Sequence, residues 1–127
     1  MWASIIGVLL TGLAFLLLFP DRTDYAGHFL AGAGGTYWLL GATRPLFPRS
    51  PWAVVVAVWL AVGAGVMTEA TVFRLAEFDV VDLANQSLGA VFAGVGMLQV
   101  RSMRRCVPAA AGAGLVFLVA GFHYAFA

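Results

Sequence analysis

The sequence contains no lysine, a single cysteine and very little charge: 10% of its residues are charged against 62% hydrophobic. Each shortage excludes something. A 127-residue chain with a mean hydropathy of +0.95 has too few charged side chains to cover an ordinary soluble core, so it reads as one membrane-embedded domain. The lone Cys106 has no partner for an internal disulfide, and beside Arg101, Arg104 and Arg105 it suits an interfacial position better than a nucleophilic one. HExxH, GxSxG, a cysteine dyad and a glycine-rich phosphate loop are all missing, so no ready-made catalytic motif announces a reaction. A nucleic-acid partner is not expected.

What is present is a series of apolar runs separated by charge and proline. They predict an all-α, polytopic transmembrane bundle of about five helices, at about 2–19, 25–43, 52–73, 82–100 and 107–126. Pro20 and Asp21 close the first run, and Arg44, Pro45, Pro48 and Pro51 separate the second from the third. The first run has no basic residue before it and no small-x-small cleavage site after it, so it reads as a retained helix rather than a removed signal peptide.

The arginines suggest an orientation, because cytoplasmic loops collect basic residues. With alternating helices, Arg44, Arg49, Arg101, Arg104 and Arg105 fall on one face together with the N-terminus, which is expected to be cytoplasmic. Arg22, Arg74, His28, His123 and all six acids (Asp21, Asp24, Glu69, Glu77, Asp79, Asp82) fall on the other. Trp2, Trp52 and Trp38 suit the inner boundary, and Tyr25 and Tyr124 the outer one.

Helical periodicity concentrates the polar groups further. Asp24, His28, Gly32 and Gly35 share a stripe on the second helix, Ala61, Gly65 and Glu69 one on the third, and Asp79, Asp82, Gln86, Gly89, Ala93 and Gly96 one on the fourth. Small residues let helices pack closely, and the face that packs is where a polar side chain escapes lipid. His28, Glu69 and Gln86 each lie about one turn inside the outer end of their helix, so they are expected to converge beneath the outer mouth. Glu77 and Asp79 are assigned to a solvated outer turn. The convergence has a structural reading, a polar clasp, and a functional one, favoured because an intramembrane carboxylate costs about 2.5–3.5 kcal/mol even on a lenient scale. In the functional reading the catalytic candidates are His28 as base, Asp24 orienting it, and Glu69 and Asp82 as acid or metal ligands; a divalent metal is possible. Arg74, Asn85 and Gln86 are the ligand-binding candidates.

The segment Asp24-Tyr25-Ala26-Gly27-His28-Phe29, followed by Glu69, Phe73, Asp82 and Gly89, resembles the VanZ-like family of small membrane proteins associated with resistance to teicoplanin. The resemblance covers roughly residues 21 to 96. Its pattern is an acid and His on one helix, Glu on the next, and Asp with an amide on the one after. The chain departs from the family where Tyr25 replaces a lysine and Val72 a glutamine; Arg74 stands near, but not at, the family's arginine position, and Gln86 stands for its asparagine. The resemblance implies a multi-pass protein of the bacterial cytoplasmic membrane with a role in the cell envelope or antibiotic tolerance. The expected activity is binding of an envelope component or glycopeptide-type amphiphile at an outward-facing acidic pocket. Two alternatives stand beside it: a membrane-embedded hydrolase or transferase acting on a lipid-linked precursor, and a small structural subunit. A membrane lipid is the expected partner, with a homo-oligomer or a second membrane protein also open.

Overall fold

Helices form where the apolar runs lie and stop where the backbone chemistry changes. In the computed structural model, which describes residues 1–43, 46, 50–71, 79–98, 100 and 107–126 apart from the side chain of Glu69, the order is α1 (Trp2–Leu18), α2 (Thr23–Thr43), α3 (Trp52–Thr71), α4 (Val80–Leu98) and α5 (Val107–Ala125). The described residues are all-α and contain no strand. Pro20 cannot supply a helical N–H, and it pushes Phe19 out of helical geometry, so α1 ends there. At the start of α4, Asp79 is an N-cap: its Oδ1 accepts the Val81 N–H at 2.7 Å.

Residue contacts fix the helix directions. Ser4 meets Tyr37 and Gly12 meets Leu30; Gly35 meets Ala61, and Gly41 meets Ala111. These pairings set α1, α3 and α5 antiparallel to α2, whereas Phe29 beside Gly89 and Gly32 beside Gln86 set α4 parallel to it. The helices therefore alternate in direction along the chain. The α1–α2 turn, the start of α4 and the end of α5 share one end of the bundle.

α2 is the hub, packing on all four other helices. Its sequence explains why. Gly27, Gly34 and Gly41 recur every seven residues, and each lies against the α5 backbone; a Cβ on Gly34 would stand 2.6 Å from the Leu118 nitrogen and 2.9 Å from the Gly114 oxygen. On its α4 side Gly32 and Gly89 approach equally closely. The interior is thus built from small residues such as Ala26, Ala33, Ala90, Ala93 and Ala110, with Phe29, Tyr37, Leu40 and Met97 as its large fully buried members. Ser4 and Tyr37 share a buried hydrogen bond at the end opposite the α1–α2 turn. α4 and α5 are long and apolar enough to cross a membrane; α1 is also apolar but has 17 residues.

Candidate functional site

The site lies at the end of the bundle where the described side-chain charges gather. Its centre is a pair contributed by two parallel helices: His28 Nε2 of α2 stands 3.4 Å from Asp82 Oδ2 of α4. The side chains are only 11% and 14% exposed, so the carboxylate is largely withdrawn from water and needs its polar neighbours. The separation is longer than the ~2.8 Å of an optimal charge-assisted bond.

One turn along α4 from Asp82, Gln86 reaches across to α3 and donates through Nε2 to the Ala61 carbonyl at 3.3 Å. Gly65 makes this reach possible, since a Cβ there would fall 2.5 Å from the Gln86 amide nitrogen. Asn85 is turned inward, and its buried Nδ2 has no hydrogen-bond partner among the described residues. His28 and Gln86 also border a cavity of about 360 Å³ between α2, α3 and α5. Its remaining lining is apolar except for Thr68, whose hydroxyl donates to the Gly65 carbonyl at 2.8 Å.

Asp24 is not the partner of His28. Its carboxylate instead accepts hydrogen bonds from Arg22 Nε and Nη2, the latter at 2.9 Å. Arg22 also stacks on the Tyr25 ring, 4.2 Å from its centroid, and lies 3.8 Å from Asp79. The reason is local. Asp24 lies in the half-buried first turn of α2 beside a strong cation two residues away, whereas the α2–α4 contact carries Asp82 up to the imidazole. The hydrogen bond to Asp24 raises the Arg22 pKa above its already high ordinary value, so this guanidinium stays charged.

The structure thus brings together His28, Asp82 and Gln86 and sets Asp24 in a neighbouring ion pair. Glu69 belongs to α3, but its side chain lies outside the described residues, as do Arg74 and Glu77. Among the described residues no group of three or more His, Cys, Asp or Glu side chains is placed to hold a metal ion. Sequence reasoning missed Thr68 and the cavity walls Trp38, Leu118 and Phe122. Thr68 alone carried a signal, as a polar residue within an apolar run; the others become a wall only through helix packing. Comparison with protein-family models, curated proteins and solved structures finds no match for the chain.

Proposed function

We propose that the chain is a polytopic bundle of the bacterial cytoplasmic membrane with its N-terminus inside, of the VanZ-like kind. We propose further that it binds an envelope component or amphiphile at the outward-facing His28–Asp82 end. The distribution of residues supports the membrane setting. Leu10, Leu17, Trp59 and Val116 are each more than 60% exposed, while alanines and glycines fill the interior, an arrangement suited to lipid and costly in water. The helices alternate in direction, and the segments that follow α2 and α4 in sequence carry Arg44, Arg49, Arg101, Arg104 and Arg105, as a cytoplasmic side would.

One observation carries the binding reading: the nearly buried His28–Asp82 pair, with His28 opening on a mostly apolar cavity. A mostly apolar cleft with a few convergent polar groups is the usual form of a small-molecule site. The decisive experiment measures binding of teicoplanin and of lipid-linked envelope precursors to purified protein in nanodiscs. His28→Ala and Asp82→Asn are expected to weaken the ligand that binds by about tenfold, equivalent to about 1.4 kcal/mol, with helicity retained and a lowered but cooperative melting transition. Variants that fold and bind like the parent would remove the reading and leave the pair as a clasp.

A second reading follows from the same pair. An imidazole facing a carboxylate can act as a general base on a lipid-linked substrate. Turnover of such a substrate, lost in His28→Ala but still present when ligand binding is saturated in the parent, would favour the hydrolase or transferase over the binding protein.

A further inference from the structure

We infer that the cavity beside His28 holds one acyl chain of an amine-headed membrane phospholipid, admitted sideways from the bilayer between α3 and α5. The inference rests on the membrane and site readings above and adds the chemical class of the occupant. Three features carry it.

The first is polarity along the cavity. His28, Thr68 and Gln86 stand at the charged end, and below them the trough is floored by small residues, among them Ala31, Gly35 and Ala61. Its rims are Trp38, Leu60, Phe122 and Phe126, each between 48% and 61% exposed, so the trough faces the same surroundings as the lipid-suited exterior. A polar head and an apolar body in one cleft match an amphiphile.

The second is length. A second cavity of about 360 Å³ continues between α2 and α3 towards Thr43, Ser50 and Trp52, and both cavities are bordered by Leu39 and Leu60. At the helical rise, Leu39 lies about 16 Å below His28. That is about half of a ~30 Å hydrocarbon core, so the first cavity has the length of one acyl-chain layer, and Leu39 with Leu60 closes the end farthest from His28.

The third is charge. Among the described residues, this end of the bundle carries Asp21, Asp24, Asp79 and Asp82 against Arg22. The local field attracts a cationic amine and disfavours an anionic headgroup.

The test uses the full-length protein in vesicles of phosphatidylethanolamine and phosphatidylglycerol, with a photoactivatable group on the acyl chain of one lipid at a time. Phosphatidylethanolamine is expected to label the Ala31–Gly35 and Ala61–Ala64 segments severalfold above the exposed α1 face at Leu10 and Leu13, and phosphatidylglycerol to label them less. Gly35→Leu fills the trough from α2, and Ala64→Phe fills it from α3, where Ala64 is exposed. Either variant, if folded, should reduce trough labelling to the level of α1. Leu60→Ala, which removes part of the wall shared by the two cavities, should shift the labelled set towards longer chains. Trough labelling equal to that of α1, or unchanged in both filling variants, overturns the inference. Equal labelling by the two lipids overturns the amine headgroup. If His28→Ala abolishes ligand binding while labelling ignores the trough variants, this inference fails and the site reading stands. If the trough variants abolish labelling while His28→Ala and Asp82→Asn leave headgroup preference intact, the chain assignment stands and the site reading fails.

Discussion

Gly32 of α2 and Gly89 of α4 approach so closely that neither has room for a side chain: a Cβ on Gly32 would run into the Gln86 carbonyl oxygen, and one on Gly89 into that of Phe29. Gly32 lies one turn beyond His28 and Gly89 one turn beyond Gln86. The glycine contact therefore sets the distance at which the imidazole and the Asp82 carboxylate meet. Packing and site chemistry are here one feature.

Gly89→Ala is expected to destabilise the bundle by about 1–3 kcal/mol, the usual cost of overpacking, and to part His28 from Asp82. Denaturant titration in detergent micelles reads the first effect. A changed His28 imidazole signal in the NMR spectrum reads the second, and retention of parental stability would show that the helices separate freely.

The α5 glycines offer an internal control. Gly114 abuts the Trp38 backbone, with a Cβ only 2.5 Å from its nitrogen, whereas Gly112 has nothing within 4 Å. Gly114→Ala should lower the melting temperature. Gly112→Ala should leave it unchanged or raise it, since alanine gains up to about 1 kcal/mol over glycine in a helix interior. Equal responses would contradict the packing of α5 on α2.

Removing the carboxylate from the central pair should cost more than removing its exposed neighbours. Asp82→Ala loses a largely buried polar contact with His28 and leaves the imidazole without it, a cost of about 1–3 kcal/mol for a buried group deprived of its partner. Asp24→Ala loses a partly exposed ion pair with Arg22, of a kind that contributes about 0–1 kcal/mol. Thermal unfolding of the two variants side by side checks the order, and a larger loss in Asp24→Ala would reverse the assignment of the partner of His28.

Asp79 and Arg22 separate capping from charge. Asp79→Ala should destabilise by about 1 kcal/mol through loss of the α4 N-cap, and Asp79→Ser should restore most of it because a hydroxyl also accepts the Val81 N–H. Arg22→Gln, an exposed change, should leave the melting temperature of the bundle where it was. If serine fails to rescue, the effect of Asp79 comes from charge rather than capping.

The sequence by itself determined the helices, because their causes are local. Apolar runs of suitable length, with Pro20 and Pro51 at breaks, are enough to put five segments close to where the helices lie, although α4 starts at Val80, two residues before its expected start, because Asp79 caps it. Residue counting along helices of known rise set His28, Glu69 and Gln86 at one depth near one end; His28 and Gln86 border one cavity there beside Asp82, and the Glu69 side chain lies outside the described residues. Partners were another matter. Asp24, one turn from His28 on its own helix, looked the natural companion, yet Arg22 takes it and Asp82 faces the imidazole from α4. Only the tertiary structure decided this, because it depends on which faces of α2 and α4 touch. That choice is made by the fit of Gly32 against Gly89 and of Gly27, Gly34 and Gly41 against α5. The cavity belongs to the same class of outcome: Ala31, Gly35, Ala61 and Phe122 are unremarkable in sequence and line one trough only because α3 and α5 flank α2 there. Helix formation is a property of neighbours along the chain, whereas a site between helices is a property of surfaces that meet across it.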